Sequence, residues 1–233
     1  MRRSQTRAAD HGGHLDVLGS IPAEYRKAIL EQCEKRQFRK GEMLWSQGDA
    51  ADYVAFLRDG KVMSTYHSPN GKIGVTGIWF AGDILGAADL GASNERQMTV
   101  RCLQDTVIYT LSVERFYEVA KRFPEVSQAI IRALSIRLRW VAHLALTLET
   151  QPALERICTV LLVLAERFSV PTKDGMLIDL SLTNEDLAAV VGVSRQFMNA
   201  TLHDLQRRGI IGLKRRRIVL TDKAGLEDIA FRH

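Results

Sequence analysis

The sequence lacks the residue patterns on which most metal proteins and enzymes depend. Its three cysteines, Cys33, Cys102 and Cys158, lie far apart and form no CxxC pair. This excludes the usual iron–sulfur and zinc spacings and indicates buried or free thiols in a reducing compartment. The chain also has no Walker-type glycine loop and no recognisable set of nucleophile, base and orienting residue. We therefore predict a protein that is not an enzyme and that holds no metal.

Long apolar runs are missing as well, which argues against a membrane span. Residues 1–13 are polar and contain no apolar core of a secretory signal, so we expect a cytoplasmic protein. With 233 residues, 46% of them hydrophobic and 25% charged, the chain is long enough for two domains with separate cores. A net charge of +5 permits nucleic-acid binding but does not require it.

Residues 182–211 follow the pattern of a DNA-binding helix-turn-helix. Thr183, followed three residues later by Asp186, predicts a capped first helix. Gly192 suits the tight turn, and Ser194 can cap the second helix. An ordinary amphipathic helix pair is the alternative interpretation. The polar side chains predicted to face DNA are Arg195, Gln196, Asn199 and His203.

A basic hairpin is predicted directly after this motif. Two short apolar segments flank Lys214-Arg215-Arg216-Arg217. Four neighbouring cations repel one another, whereas a phosphate backbone would neutralise them. We therefore expect Lys214, Arg215 and Arg216 to contact DNA, together with the helix caps Thr183 and Ser194. A solvated run of charge is the alternative.

The residue pattern in the first half of the chain predicts mainly β-strands. A helix from about Ala23 to Cys33 precedes short strand-like segments between Gln37 and Ser112, and glycine-containing turns separate them. Asn70-Gly71 is a strong hairpin signal. Many short strands at this spacing predict a β-sandwich or jelly roll.

A long helix is predicted to begin at Pro124 and to end before the helix-breaking Gln151-Pro152, with a further helix over residues 153–168. Its apolar residues recur at alternating three- and four-residue steps, which is the narrow stripe of a coiled coil. We expect this stripe to be a dimer seam, although packing into the core of the same chain is the alternative. The seam consists of Ile131, Leu134, Leu138, Val141, Ala145 and Leu148.

In combination, these elements resemble the cyclic AMP receptor protein/fumarate-nitrate regulator family of bacterial transcription factors, from about Leu15 to Ile229. The residues that carry the resemblance are Lys40–Val62, Gly82–Cys102 and the helix-turn-helix. The resemblance implies an α+β fold in three parts. These are a cyclic-nucleotide-binding-type β jelly roll (15–123), a dimerisation helix (124–150) and a winged helix-turn-helix (151–233).

The resemblance also implies a function. We expect a homodimer that regulates transcription at a pseudo-palindromic site in double-stranded DNA, with half-sites about 34 Å apart. RNA polymerase is a further partner, which the loop Val170–Gly175 and parts of the jelly roll could contact. The sequence does not distinguish an activator from a repressor. The alternative is a ligand-binding module whose winged domain makes protein contacts.

The effector site departs from the family pattern. Gly86 begins a turn, and Arg96 matches the arginine that pairs with a cyclic phosphate in nucleotide-binding members. Ala87, however, stands where their ribose-binding Glu would be, and Gln97 stands where a phosphate-binding Ser or Thr follows the arginine. Val141 falls at the position of an adenine-contacting residue. Since each missing polar partner weakens binding, we expect that cyclic AMP is not sensed in the usual way.

No other effector is indicated. Asp89 lies two residues beyond Ala87, and helical spacing would turn its carboxylate elsewhere. Haem would need an axial His or Cys, but we interpret His67 and His143 as ordinary histidines. A different ligand in the old pocket, a thiol sensor at Cys102 or Cys158, and no effector at all remain open.

Overall fold

The computed structural model describes residues 16–214 and 217–231, without the side chain of His143. The predicted domain start at Leu15, the polar segment 1–13 and two predicted DNA contacts, Arg215 and Arg216, lie outside the described residues. In the described part, the helices are α1 (Ala23–Leu30), α2 (Val113–Arg122), α3 (Pro124–Thr150), α4 (Ala153–Phe168), α5 (Asn184–Val191), α6 (Arg195–Arg207) and α7 (Lys223–Ala230).

The strands of the first half form a β-roll, as predicted. They are β1 (Glu34–Phe38), β2 (Met43–Trp45), β3 (Tyr53–Asp59), β4 (Lys61–His67), β5 (Ile73–Phe80), β6 (Ile84–Leu85), β7 (Thr99–Cys102) and β8 (Thr106–Ser112).

Two antiparallel sheets with the strand orders β1-β8-β3-β6 and β2-β7-β4-β5 make up this β-roll. The predicted hairpin joins β4 to β5, and its turn needs a glycine because Gly71 has a φ of 79°.

Two predicted boundaries differ from the structure. Helix α1 ends at Leu30 rather than Cys33, and β1 begins at Glu34 rather than Gln37. The two-residue β6 was not predicted, since so short a strand carries no periodic pattern.

Helix α3 begins with Pro124 at its first position, as expected from a residue whose ring presets the helical φ. Its first turns pack onto the β-roll, because Val126, Ala129 and Ile130 are buried in the same cluster as β3 and α2 side chains. Farther along, the apolar stripe that begins at Ile131 is exposed in the single chain. The helix ends at the predicted break, where Gln151 is extended and Pro152 precedes α4.

The second half of the chain forms a winged unit (residues 153–214 and 217–231). A four-stranded sheet in the order β11-β12-β10-β9 packs with α4, α5, α6 and α7. The wing strands β11 (Ile211–Lys214) and β12 (Arg217–Leu220) were predicted, but their partners β9 (Ser169–Thr172) and β10 (Gly175–Ile178) were not.

Among the described residues, no helix has the length and apolar character that a membrane span requires.

The winged unit packs directly on one sheet of the β-roll. Side chains of β4 alternate, so that Val62 points into the β-roll while Met63 joins the core cluster of the winged unit. Two ion pairs join the same surfaces: Arg101 to Asp186 at 2.7 Å, and Lys61 to Asp179 at 2.9 Å. The centre of β4 is therefore covered on both faces.

Candidate nucleic-acid interface and effector pocket

The two helices of the predicted DNA-reading motif are capped as the sequence indicates. The Thr183 hydroxyl accepts a hydrogen bond from the Asp186 amide at 3.0 Å, and the Asp186 carboxylate accepts one from the Thr183 amide at 2.9 Å. Gly192 ends α5 in the left-handed region with a φ of 73°. The Ser194 hydroxyl then caps α6 by accepting from the Phe197 amide at 3.1 Å. These caps fix where α6 begins and which of its faces points outward.

Helix α6 presents one buried and one exposed face. Met198, Leu202 and Leu205 are buried against the rest of the winged unit. Asn199 is held in place, because its side-chain oxygen accepts a hydrogen bond from the Asn184 amide group at 2.8 Å. The exposed residues of α6 include all four predicted DNA contacts, Arg195, Gln196, Asn199 and His203, together with Phe197.

The wing carries part of the predicted phosphate-binding charge. Lys214 is exposed but forms an ion pair with Asp174 in the turn between β9 and β10, and its ammonium group lowers the pKa of that carboxyl. Arg217 lies 3.3 Å from Asp179. A DNA phosphate would therefore have to compete with carboxylates for these two cations.

Arg96, to which the resemblance assigns phosphate binding, is enclosed by the protein. Arg96 is only 1% exposed. Its Nη1 forms an ion pair with the Asp89 carboxylate at 3.2 Å, and its Nη2 donates a hydrogen bond to the Tyr53 carbonyl oxygen at 2.6 Å. Its faces lie on the Trp45 and Tyr53 rings, 4.1 and 4.7 Å from their centroids. Among the described residues, the Arg96 Nε has no hydrogen-bond partner.

The other predicted effector residues do not gather around Arg96. Ala87 is buried in the apolar cluster behind the turn, Gln97 is exposed and bonds to Ser93 and Glu95, and Val141 is exposed on α3. Gly86 does lie against the arginine, since a Cβ there would meet an Arg96 nitrogen at 2.5 Å. The residues after Gly86 form turns rather than a helix.

Helical spacing was therefore the wrong guide for Asp89. The turns after Gly86 bring its side chain to Arg96, where the two form the ion pair described above. Asp89 therefore gives an anionic partner within the chain to the arginine that the resemblance assigns to phosphate binding.

One arginine with a structural role was missed at the sequence level. Arg137 on α3 donates to the Thr76 carbonyl oxygen at 2.8 Å and lies 3.9 Å from the centroid of the Trp79 ring. A Cβ on Gly77 would overlap its Nη2, so any larger residue at position 77 would force the guanidinium to move. Burial lowers the pKa of Arg137 to about 10. A half-buried arginine off the apolar stripe carries no local signal, because its partners lie on a distant strand.

Burial keeps the three thiols protonated. Burial raises the pKa of Cys33 and of Cys158 to about 11, and it also raises the pKa of Cys102. A thiol held protonated is a poor nucleophile and a poor metal ligand. No group of three or more His, Cys, Asp or Glu side chains that could hold a metal occurs within the described residues.

Two protein-family models match the chain. The model of the cyclic nucleotide-binding domain covers residues 35–123, and that of the Crp-like helix-turn-helix domain covers residues 155–229. The first corresponds to the β-roll with α2, and the second to most of the winged unit.

Curated relatives match over most of their length. The chain is 24% identical over 199 residues to the CRP-like cAMP-activated global transcriptional regulator of Mycobacterium tuberculosis, covering 85% of this chain and 89% of that protein. It is 26% identical over 185 residues to the global nitrogen regulator of Nostoc, covering 78% and 83%.

Among solved structures, the c-di-GMP-responsive global regulator CLP of Xanthomonas campestris superposes with a TM-score of 0.77 at 22% identity, covering 85% of this chain and 98% of that one. A CooA variant from Carboxydothermus hydrogenoformans gives 0.75 at 21% identity, covering 93% and 95%. These likenesses show the fold.

Proposed function

The chain belongs to the cyclic AMP receptor protein/fumarate-nitrate regulator family of transcription regulators, and on this basis we propose that it binds a pseudo-palindromic DNA site as a homodimer without needing cyclic AMP. The observation that carries this proposal is the capped helix-turn-helix, whose second helix buries its apolar face and exposes its hydrogen-bonding side chains. The function is regulatory rather than enzymatic, and it is carried out in the bacterial cytoplasm.

The exposed face of α6 suits base reading in the major groove. Arg195 can engage O6 and N7 of a guanine with two parallel hydrogen bonds, and Gln196 suits adenine. Asn199, already oriented by Asn184, contacts the neighbouring base. The caps Thr183 and Ser194 lie at helix N-termini, where backbone amides favour phosphate.

Backbone contacts from the wing and from the end of α6 complete the proposed DNA interface. The remaining predicted contacts, which we assign to the DNA backbone, are His203, Lys214, Arg215 and Arg216.

The exposed stripe of α3 supports dimerisation. Water reaches 63% of Ile131, 70% of Leu138 and 43% of Val141 in the single chain, although these residues recur with the period of a coiled coil. A second copy of the same helix would cover the whole stripe, because a two-fold axis along the seam brings identical residues together. We propose that residues 124–150 pair two chains, with the β-roll domain (15–123) before them and the DNA-binding domain (151–233) after them.

The enclosure of Arg96 argues against the usual use of cyclic AMP. A cyclic phosphate would have to displace Asp89 and reopen a guanidinium that is stacked on two aromatic rings. No Glu stands at Ala87 to hold a ribose hydroxyl, and Val141 has no polar side chain for a base. We propose that Asp89 supplies the negative charge that a ligand supplies in nucleotide-binding relatives.

The hairpin β9–β10 is the proposed contact for RNA polymerase. It contains the predicted loop Val170–Gly175, and Val170 and Met176 at its two strands are 44% and 40% exposed. Apolar side chains on a projecting hairpin suit a protein partner better than a DNA backbone.

The test is selection of bound DNA from a random duplex pool by the purified, ligand-free protein at physiological salt. Enrichment of a two-fold-symmetric motif with a guanine in each half is the expected result. Enrichment of no motif without ligand, but of one with cyclic AMP, would contradict the ligand-independent part of the proposal. If neither selection enriches a motif, the DNA-reader proposal itself is wrong, and a winged unit that makes protein contacts becomes the better interpretation.

A further inference from the structure

One side chain connects the end of the long helix to the turn of the helix-turn-helix. Arg156, in the first turn of α4, donates from Nη1 to the Gln151 carbonyl oxygen at 2.9 Å. The same guanidinium donates from Nε to the Val191 carbonyl oxygen at 3.3 Å and from Nη2 to the Gly192 carbonyl oxygen at 3.4 Å. A single planar group thus joins three segments of the chain: the hinge, α4 and the turn that precedes the DNA-reading helix.

These three carbonyls are well suited to a cation. Gln151 ends α3, Val191 is the last residue of α5, and Gly192 is its left-handed cap. Carbonyls at a helix C-terminus lack a partner within the helix and carry partial negative charge. A guanidinium has donors fixed in one plane and can serve several such oxygens at once, which the single ammonium group of lysine cannot do in the same geometry.

Further contacts hold the same junction. The Gln151 side-chain oxygen accepts from the Thr159 hydroxyl at 3.0 Å. At the other end, a Cβ on Gly192 would meet the Leu148 side chain at 3.0 Å, so the last residue of the seam lies against the helix-turn-helix turn. The hinge therefore has a defined geometry, fixed on one side by α3 and on the other by the turn.

We propose that Arg156 is a positioning residue that sets the separation of the two recognition helices in the dimer, and with it the preferred spacing of the two DNA half-sites. The inference rests on the proposed homodimeric function. The chain of contacts runs from the seam of α3 through Gln151 and Arg156 to Gly192, and α6 begins three residues after Gly192. Because α6 carries the base contacts, a displacement of this junction changes the separation and direction of the two α6 helices. It leaves unchanged which bases each helix contacts.

A mere stabilising role would have different consequences. An arginine that only caps α5 would, when removed, lower stability and weaken binding to every DNA site by the same factor. A positioning residue changes the ratio of affinities between spacings. Each added base pair moves one half-site by about 3.4 Å and turns it by roughly 34°, so spacing is a sensitive measure of how rigidly the two helices are held.

The experiment uses the full-length protein and duplexes in which the half-site selected by the wild type is repeated in inverted order. The spacer is lengthened or shortened one base pair at a time, and the dissociation constant is measured for each duplex. Arg156→Ala, Arg156→Lys and the wild type are compared. Ile229→Val, which removes a buried methylene group from the same winged unit, serves as the control for lost stability.

We expect the wild type to prefer one spacing by about tenfold or more over its neighbours, and Arg156→Ala to reduce that ratio to roughly threefold or less while reading the same half-site. Arg156→Lys should lie between them, and it also serves as the informative variant if the alanine protein does not fold. Ile229→Val should keep the wild-type ratio.

A uniform loss across all spacings in both Arg156 variants would overturn the proposal and leave a simple helix cap. The proposal would also be overturned by a wild type that binds every spacing equally. Failure of the proposed function gives a different result, since no half-site would be selected in the first place.

Discussion

The dimer seam can be tested quantitatively by shortening one leucine. Leu138 is 70% exposed in the single chain and lies in the middle of the stripe on α3. Full burial of a leucine stabilises by about 1.5–3 kcal/mol, so covering the exposed part contributes about 1–2 kcal/mol in each chain. Two-fold symmetry doubles this to about 2–4 kcal/mol per dimer. Leu138→Ala should therefore raise the dimer dissociation constant roughly 30- to 700-fold.

The chain offers a matched control on the same helix. Leu146 is 60% exposed, nearly as much as Leu138, but it does not fall on the stripe of three- and four-residue steps. Leu146→Ala should leave the dimer unchanged. Sedimentation equilibrium over a range of concentrations measures both constants, and binding to a palindromic duplex should weaken for Leu138→Ala alone. Equal effects of the two substitutions, or no effect of either, would show that the seam is assigned to the wrong face.

Three further predictions concern the DNA contact, the thiols and the junction between the β-roll and the winged unit. Arg195→Ala should cost roughly 1–3 kcal/mol on a site with the preferred guanine and abolish the preference at that position, as measured by competition with single-base variants of the site; equal loss on every sequence would make Arg195 a phosphate contact. With a pKa of about 11, Cys33 and Cys158 should be alkylated by iodoacetamide far more slowly at pH 7 than in the unfolded chain, and rapid labelling of the native protein by mass spectrometry would contradict the burial argument. The Lys61 ammonium group lowers the pKa of Asp179 in the folded protein. The ion pair therefore contributes its full stability at pH values above the ordinary carboxyl pKa of about 3.9, and this stability is lost as the pH falls through the lower pKa of the folded state. The wild type should lose more stability than Asp179→Asn between pH 5 and pH 3 in thermal melts, and parallel pH profiles would show that the pair contributes nothing.

Local signals in the sequence predicted the DNA-reading motif well. The capping box of Thr183, the left-handed Gly192 and the cap Ser194 each depend on residues within a few positions, so the structure follows directly from residue type. The same holds for the β4–β5 hairpin at Gly71 and for the helix start at Pro124.

Features that depend on distant partners could not be predicted in this way. Strands β9 and β10 are four residues each, and β10 is stabilised by pairing with the wing strand β12, whose residues lie forty or more positions away in the sequence. The Arg101–Asp186 ion pair joins side chains that are 85 positions apart. A sequence pattern within a short window contains no information on such contacts. Only the three-dimensional structure shows that the Asp186 carboxylate, which caps α5, also binds Arg101 of the β-roll.

The segment after Gly86 shows a different reason for error. Helical spacing was applied to the residues after Gly86, and on a helix Asp89 would point away from the site. The segment instead forms turns, and turns bring Asp89 to Arg96. That Ala87 stands where the resemblance implies a Glu was visible in the sequence. The contact between Asp89 and Arg96 was not visible, because it depends on the backbone path between them.

These observations support one account of how the protein is controlled. In a ligand-gated regulator, the ligand must bind one arrangement of the DNA-reading helices better than another. Here Arg96 already has an internal anion in Asp89, and the winged unit is joined to the β-roll by Arg101 and Lys61 and to the end of α3 by Arg156. Each of these contacts is made by the chain itself. We therefore propose that contacts within the chain, rather than an added nucleotide, hold the arrangement that binds DNA.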